Sequence, residues 1–230
     1  MQLTVLDPYR PNQAFPTLDK ALKEPNGLLA IGGCLSPERL INAYRHGIFP
    51  WYNPGEPVLW WSPDPRLVLF PDHVKISRSL RKTLRRSLFT VTYDKAFSRV
   101  VECCAESRAG STGTWITKEM KQAYNSLYRL GLAHSAEAWA DGELVGGLYG
   151  ITIGQVFFGE SMFHKKTDAS KVVFVTLAEQ LKNWNYQLID CQVQTQHLLS
   201  LGAEEISRRD FANQLHQYCP LEPAATAWQN

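Results

Sequence analysis

The sequence predicts an α+β fold, in which helices occur in runs and a mixed, largely antiparallel sheet forms the core. Apolar residues recur at helical spacing through much of residues 36–130, and the period changes to two between residues 133 and 163. The dipeptide Asp141-Gly142 interrupts this second stretch, as is typical of a hairpin turn. With 230 residues, of which 44% are hydrophobic and 20% charged, the composition is globular and allows one large or two unequal domains.

The N-terminal part is rich in proline, glycine and tryptophan and contains one clear helix, SPERLINAYRHG. Ser36 suits the N-cap of this helix, and Gly47 suits the position after its last turn. The many prolines that follow argue against regular structure, so only loop and short extended pieces are expected there. We therefore predict a small N-terminal domain of residues 1–62 and a larger domain of residues 63–230.

The larger domain begins with three predicted helices. The first, at residues 77–87, carries Leu80 and Leu84 on one narrow stripe and five cations over the rest of its surface. The second and third run from about residue 93 to 107 and from about residue 117 to 130, where apolar side chains again recur at helical spacing.

A meander of three antiparallel strands follows, made of AHSAEAWA, ELVGGLYGI and QVFFGESMF. After it come a helix at residues 169–183, a strand of the buried type in QLIDCQV, and a final helix at residues 208–218. The last residues, PLEPAATAWQN, have no periodicity, and we expect them to be loosely held. This order of elements is that of an N-acyltransferase (acetyltransferase-like) core, although a fold alone does not define a function.

Simple counts disfavour several classes of protein. The five cysteines are odd in number and form no CxxC, which disfavours a disulfide framework and favours a reducing compartment. The N-terminus has no signal-peptide pattern and no run approaches 18 apolar residues, so we expect a soluble, cytoplasmic protein without a membrane span. The histidines lack zinc-site spacing, and the glycines between residues 146 and 159 belong to the predicted meander and form no phosphate-binding motif that opens a helix. We therefore expect no metal, NAD or ATP.

Two features of the sequence remain open to a structural and a functional interpretation. Five cations within nine residues, with no acid among them, form either a solvated helix face or a patch that binds a phosphate backbone. These cations are Arg78, Arg81, Lys82, Arg85 and Arg86. Tryptophans can be core aromatics, or they can stack on a base and line an apolar pocket. The candidates are Trp51, Trp60, Trp61 and Trp115.

The strongest chemical indication is the presence of carboxylates inside apolar strands, at Glu160 and Asp190. Strand alternation predicts that Phe158 and Met162 lie on the same side as Glu160, and that Gln192 lies beside Asp190. Buried charges are costly unless they are paired, so such residues are either structural partners or site residues. A satisfied hydrogen-bond network in the core is the alternative to a reaction site.

Longer stretches make a resemblance visible across roughly residues 12–211. They are EPNGLLAIGG (24–33), LSPERLINAYRHGIFPWY (35–52), LWWSPDPR (59–66), GTWIT (113–117), AHSAEAW (133–139), LVGGLYG (144–150), FGESMF (158–163), ASK (169–171) and LIDCQVQTQHLLSLGAEEISRRDF (188–211). In this combination the chain closely resembles the bacterial leucyl/phenylalanyl-tRNA–protein transferase family.

The resemblance implies an activity and a set of partners. Such enzymes take Leu or Phe, and less readily Met, from the acceptor end of Leu-tRNA or Phe-tRNA. They join it to the α-amino group of a protein that begins with Arg or Lys, and the product is passed to ClpS and ClpAP for degradation. The family combines a small N-terminal domain with an acetyltransferase-like domain, and it needs no metal, nucleotide or acyl-CoA.

The resemblance also implies roles for residues. The catalytic pair of the family falls on Asp190 and Gln192, and Glu160 matches a residue near the acceptor amine. Aromatics that flank the aminoacyl-adenosine fall on Trp51 and Trp115. The residues matching the amino-acid pocket are Leu148, Met162, Phe174, Leu177 and Ile189. The residues matching the tRNA-binding cluster are Arg78, Arg81, Lys82, Arg85 and Arg86. Asp168 departs from the asparagine familiar before ASK.

Two other classes of protein are alternatives to this activity. A CoA-dependent N-acetyltransferase needs a glycine-rich loop leading into a helix, whereas SMFHKKTD precedes the helix at residue 169 and contains no glycine. A non-catalytic RNA-binding module explains the basic helix and the aromatics. It does not explain the set of Asp190, Gln192 and Glu160.

Overall fold

The structure, a computed structural model, describes residues 3–109 and 115–229. The first two residues of the GTWIT motif, Gly113 and Thr114, lie outside the described residues. No helix in these ranges is long and apolar enough to cross a membrane.

The N-terminal part forms a sheet of short strands around one helix. The strands are β1 (Thr4–Leu6), β2 (Leu28–Gly32), β3 (Phe49–Pro50) and β4 (Leu59–Trp61), in the order β1-β2-β4-β3, and the helix is α1 (Pro37–Arg45). As predicted, the side chain of Ser36 caps α1 by accepting a hydrogen bond from the Arg39 backbone N–H. The boundary predicted between residues 62 and 63 falls in the connection from this sheet to the next one, and the division into two domains stays a prediction.

The larger part contains a second sheet and most of the helices. Its strands are β5 (Arg66–Leu69), β6 (Thr90–Tyr93), β7 (Ala133–Ala140), β8 (Glu143–Ile153), β9 (Val156–His164), β10 (Leu188–Gln192) and β11 (Glu204–Ile206). Its helices are α2 (Arg78–Arg85), α3 (Phe97–Ala109), α4 (Lys118–Arg129), α5 (Ala169–Asn183), α6 (Gln196–Ser200) and α7 (Arg208–Tyr218).

The order of strands in the second sheet is β11-β5-β10-β9-β8-β7-β6. Neighbouring strands are antiparallel except for β9 and β10, which are parallel. The prediction of an α+β fold with a mixed, largely antiparallel sheet is therefore confirmed. The meander β7–β9, followed by α5 and then β10, also matches the element order predicted for an acetyltransferase-like core.

The helix predicted from about residue 93 begins later, at Phe97. Residues 90–93 are instead the edge strand β6, which pairs antiparallel with β7. Asp94 turns the chain between the two elements with a positive φ of 54°, and its carboxylate accepts a hydrogen bond of 2.8 Å from the Ser135 backbone N–H. This contact with β7 is non-local, so helical periodicity could not reveal it.

The two faces of the large sheet are covered by different elements. The N-terminal part, α3 and α4 pack on one face, and α2, α5 and the C-terminal tail pack on the other. The tail is not loosely held as predicted. The ring of Trp228 stacks on His134 with 4.1 Å between ring centroids, and its Nε1 donates a hydrogen bond of 2.9 Å to the Tyr186 hydroxyl.

One irregularity in the meander corrects the predicted alternation around Glu160. Glu160 is the extra residue of a β-bulge between β8 and β9. Because one extra residue reverses the alternation, Phe158 lies in the core beneath α3 while Met162 packs against the core beneath α5. The prediction that both lie on one side of the strand is therefore wrong.

Candidate active site

A cavity of about 380 Å³ opens in the middle of the large sheet. The parallel pairing of β10 with β9 ends at the pair Asp190–Phe158, and the residues after this point on both strands line the cavity. Residues from both parts of the chain complete its wall, including residues of β3, α5 and α6.

The structure brings together all ten residues predicted as catalytic or as contacts of the aminoacyl group. Each lines this cavity: Trp51, Trp115, Leu148, Glu160, Met162, Phe174, Leu177, Ile189, Asp190 and Gln192. The five predicted tRNA-binding cations do not line it. Four of them lie on α2, and Arg86 follows directly as the C-cap of that helix.

One part of the cavity wall is apolar. Leu148 of β8, Phe174 and Leu177 of α5, and Ile189 of β10 are buried there, and the partly buried Met162 of β9 joins them. Phe157 of β9 also lines the cavity. A closed apolar surface of this kind favours an unbranched, branched or aromatic hydrocarbon side chain over a polar one.

Aromatic side chains border the cavity at Trp51 and Trp115. Trp51 is 46% exposed, and its ring lies 5.7 Å from that of Trp61 between centroids. Trp60, in contrast, is fully buried and donates a hydrogen bond of 2.8 Å to the Gly32 carbonyl oxygen, so the structural interpretation holds for it. An exposed indole beside a cavity is suited to stacking on a planar ring.

Glu160 is held by two tyrosine hydroxyls. Tyr44 of α1 donates a hydrogen bond of 2.6 Å to its Oε1, and Tyr124 of α4 donates one to its Oε2. Burial raises the pKa of the Glu160 carboxyl to about 7, although the two tyrosine hydrogen bonds oppose the rise. Burial and the nearby Glu160 raise the pKa of both tyrosines well above 10, so the hydroxyls remain protonated donors. Glu160 is thus a carboxyl group that can take up and release a proton near neutral pH.

Asp190 is the partner of a buried arginine that the sequence did not single out. Both side chains are almost fully buried, at 0% and 1% exposure, and Arg66 donates hydrogen bonds of 2.8 and 2.7 Å to the two carboxylate oxygens. The guanidinium also donates to the Gly47 carbonyl oxygen at 3.2 Å and lies over the rings of Phe49 and Phe211. The guanidinium of Arg66 therefore neutralises the charge of Asp190, and this ion pair links β5 to β10.

Gln192 completes the coordination of Asp190. Its backbone N–H donates to Asp190 Oδ1 at 3.0 Å, and its side-chain Nε2 donates to Asp190 Oδ2 at 3.2 Å. The two residues do lie side by side as predicted, but strand alternation is not the reason. A register shift separates them, and a positive φ of 56° at Gln192 folds the chain back.

The hydrogen bonds of this pair fix the orientation of the Gln192 amide. Asp190 offers only acceptors, so the amide nitrogen of Gln192 must face it and the amide oxygen Oε1 must face another direction. With Arg66 and Gln192 together, each Asp190 oxygen accepts two hydrogen bonds. These four hydrogen bonds hold the side chain of Gln192 in a fixed position beside Asp190.

The basic helix α2 presents its cations to solvent. Its predicted tRNA-binding residues are all exposed, while Leu80 is buried and Leu84 packs beside it against the core beneath α5. Among the described residues, none of these five cations forms an ion pair with a carboxylate. Their positive charge is therefore available to an external anion.

Sequence reasoning missed Arg66, Tyr44 and Tyr124. Tyr44 and Tyr124 lie within predicted helices and Arg66 lies in the motif LWWSPDPR, but the sequence indicates no role for any of them. A general signal was present, because a carboxylate inside an apolar strand requires a cation or several donors. The sequence did not identify the residues that supply this cation or these donors.

We predict that Tyr124→Phe raises the pKa of Glu160 further, by about one unit, because the lost hydrogen bond stabilised the charged carboxylate. The measurement is an NMR titration of the Glu160 side-chain carbon. Tyr128→Phe is the matched control, since that hydroxyl lies on the same helix but donates to the Asp94 carbonyl oxygen at 3.0 Å. Equal titration curves for wild type and Tyr124→Phe would contradict this prediction.

The chain was also compared with known proteins. A family model described as leucyl/phenylalanyl-tRNA protein transferase matches residues 68–216, and a model of the N-terminal domain of the same family matches residues 33–64. A leucyl/phenylalanyl-tRNA–protein transferase from Methylococcus capsulatus is 56% identical over 228 residues, which cover 99% of this chain and 97% of that protein. One from Nitrosomonas europaea is 58% identical over 214 residues, covering 93% of this chain and 91% of that protein.

A solved structure of a GCN5-related N-acetyltransferase from Kribbella flavida is similar at 11% identity with a TM-score of 0.38, over 74% of this chain and 61% of that one. The two family models together extend over most of the chain, and both relatives match it over nearly their whole length. The chain belongs to the leucyl/phenylalanyl-tRNA–protein transferase family.

Proposed function

We propose that this chain is an aminoacyltransferase that moves leucine or phenylalanine, and methionine less readily, from aminoacyl-tRNA to the α-amino group of a protein beginning with arginine or lysine. The names of the Methylococcus and Nitrosomonas relatives describe a transfer from leucyl- or phenylalanyl-tRNA to protein. The observation that carries the proposal is one cavity lined by an apolar wall, two tryptophans, Glu160 and the Asp190–Gln192 pair.

The cavity fits the donor. The apolar wall, which includes Leu148 and Ile189, receives the leucine or phenylalanine side chain. Trp51 and Trp115 flank the terminal adenosine. An apolar pocket separates similar hydrocarbon side chains only weakly, which explains why one enzyme takes leucine, phenylalanine and methionine. The five cations of α2 bind the phosphate backbone of the acceptor stem without reading bases.

The reaction needs no further activation, because the donor is already an ester. The amine nitrogen of the acceptor attacks the ester carbonyl carbon, a C–N bond forms, and the C–O bond to the adenosine ribose breaks. The protein terminus arrives as an ammonium, so two protons must leave its nitrogen. One is taken by a base before attack, and the other passes to the leaving ribose oxygen.

Glu160 is the group best suited to take the first proton. Its pKa of about 7 lies close to that of a protein α-amino group, so proton transfer between them is nearly balanced. In its charged form it also attracts an acceptor that carries a second positive charge on arginine or lysine. Asp190 contributes less to this attraction, because Arg66 neutralises it.

Gln192 orients the attacking nitrogen. With its Nε2 bound to Asp190, its Oε1 is left to accept a hydrogen bond from the amine N–H. An amide is a very weak base, so we assign Gln192 to positioning and relay rather than to proton removal. Asp190 and Arg66 hold it in that orientation from behind.

The product then begins with leucine or phenylalanine, and we propose that it is handed to ClpS and ClpAP for degradation. Both substrates, aminoacyl-tRNA and completed proteins, occur in the cytoplasm, which places the enzyme there. The reaction uses the energy of the ester, so the proposal includes no cofactor.

The test is mass spectrometry of an Arg-starting peptide after incubation with Leu-tRNA or Phe-tRNA, without CoA, ATP or added metal. We expect a gain of one leucine or phenylalanine, which RNase treatment prevents. An Ala-starting peptide is the matched control and should gain nothing. A peptide that stays unmodified while the protein still binds tRNA would favour the RNA-binding module, and a gain that requires acetyl-CoA would favour the acetyltransferase.

We predict that the double variant Arg81→Ala, Arg85→Ala raises KM for aminoacyl-tRNA about tenfold or more and leaves kcat nearly unchanged. Both cations are exposed on α2, and neither forms an ion pair with a carboxylate among the described residues. The slope of log KM against log salt concentration should fall by about 1–2. The control combines Arg45→Ala and Arg129→Ala, two exposed arginines on other helices. Equal salt slopes for wild type and the α2 variant would show the assignment of α2 to be wrong.

A further inference from the structure

A lysine outside α2 lies one helical turn from the cavity wall, on α5. Lys171 is in the first turn of α5, three residues before Phe174, which lines the cavity wall. Residues three apart share one side of a helix, so Lys171 lies on the cavity side of α5 and one turn towards its beginning. Its side chain is 40% exposed, and its Nζ lies 3.3 Å from Asp168 Oδ1, a long contact for an ion pair. An ammonium group has three N–H donors, so Lys171 can bind a ligand in addition to Asp168.

A histidine in electrostatic range of Lys171 lines the cavity itself. Burial lowers the pKa of His197 on α6, and the neighbouring charges of Lys171 and His164 lower it further. Burial is the largest cause of this lowered pKa, and the smaller contribution of Lys171 indicates that its positive charge acts at His197, where it would also attract an anion. A neutral His197 still offers one ring N–H as a donor.

This region is joined to α2 by a direct contact. Thr83 of α2 donates a hydrogen bond of 3.1 Å to Asp168 Oδ2, and the other oxygen of that carboxylate faces Lys171. Asp168 does not cap α5 with its side chain and instead links the two helices. The contact through Thr83 and Asp168 thus brings α2 next to Lys171, and the charge of Lys171 acts on His197, which lines the cavity.

Lys171 and His197 have the chemistry of a phosphate path. On the function proposed above, the acceptor stem lies on α2 and the terminal adenosine lies in the cavity, so the single strand between them must cross the start of α5. A phosphodiester carries one negative charge, for which a lysine ammonium is a compact partner and a histidine N–H a suitable donor. We propose that Lys171 and His197 bind the phosphate that joins the terminal adenosine to the preceding nucleotide.

The test compares three donors that differ only in how much RNA they carry. They are phenylalanyl-adenosine, which has no phosphate, a phenylalanyl-CCA trinucleotide, and Phe-tRNA, each with an Arg-starting peptide. Lys171→Ala should raise KM about tenfold for the trinucleotide and for Phe-tRNA but not for phenylalanyl-adenosine. The salt dependence of log KM for the trinucleotide should lose a slope of about 0.7, one contact to a single strand.

Two further variants control for charge and structure. Lys182→Ala removes an exposed lysine from the last turn of the same helix, where it pairs with Asp72, and should change none of the three KM values. Lys171→Arg keeps the positive charge, so its KM for the trinucleotide should stay close to the wild-type value.

The outcomes separate this inference from the function on which it rests. A KM increase for Phe-tRNA alone would mean that Lys171 acts only through Asp168 and Thr83 on α2, and the phosphate site would be rejected. An equal increase for all three donors would indicate a disturbed pocket and would also reject it. A wild-type protein that transfers phenylalanine from no donor would overturn the proposed function together with this inference.

Discussion

Replacing Arg66 with methionine lowers the free energy of unfolding by about 3–5 kcal/mol, the largest loss of stability we expect from any substitution at the site. The reason is that the Asp190 side chain, which is 0% exposed, loses the cation that compensates its negative charge. Aminoacyl transfer is lost as well, because the Asp190–Gln192 pair no longer holds its orientation. The measurements are denaturant unfolding and the peptide transfer assay.

A double variant separates the effect of the Arg66–Asp190 pair on stability from its effect on activity. Arg66→Met combined with Asp190→Leu removes both charges, so most of the lost stability should return, as buried ion pairs can be replaced by apolar residues of similar size. Activity should not return, since Gln192 no longer has an acceptor for its N–H groups. Arg129→Met, at an exposed site, controls for the substitution. If Arg66→Met were as stable as that control, the pair would not carry the energetic role assigned to it.

Glu160→Gln should lower kcat by about 10²–10⁴-fold, the usual contribution of a positioned general base. In wild type, kcat/KM should rise with pH through about 7, as the Glu160 carboxyl loses its proton, and this limb should be missing in the variant. Glu143→Gln, at an exposed site on the same sheet, is the control and should keep the wild-type profile. A Glu160→Gln variant with normal kcat would move the role of base to the substrate or the leaving ribose.

The same variant has a second readout in stability. The pKa of Glu160 is raised on folding, so between its unfolded value near 4.5 and about 7 the folded state binds more protons than the unfolded state. Stability from this group is therefore present at low pH and lost as pH rises through that window, by an amount of the order of 3 kcal/mol. Glu160→Gln should flatten this dependence.

The elements that the sequence predicted are those stabilised by local patterns. The helices α1, α2, α4, α5 and α7 and the three strands of the meander followed from periodicity, caps and the Asp141-Gly142 turn. Strands β5, β6 and β11 were missed because each is short and exists only through pairing with a distant strand. The bulge at Glu160 was missed for the same reason, since alternation within one strand does not reveal an extra residue.

The residues of the candidate site also differ in whether the sequence alone could identify them. Of the ten predicted residues that line the cavity, the two tryptophans, Glu160, Asp190 and Gln192 stood out in the sequence itself, and the five residues of the apolar wall came from a resemblance carried by long motifs. Arg66 and the two tyrosines on Glu160 could not be found in this way. Their roles depend on contacts between residues far apart in the chain, 124 positions for Arg66 and Asp190 and 116 for Tyr44 and Glu160.

The insertion of β5 between β10 and β11 has a consequence for how the protein is made. Arg66 leaves the ribosome long before Asp190, and β5 has neither of its neighbouring strands until residues 188–206 have emerged. Pairing of such distant segments is slow and comes late in folding. The Arg66–Asp190 pair therefore forms only after residues 188–206 have emerged, so a chain that stops before them lacks the buried ion pair that positions Gln192.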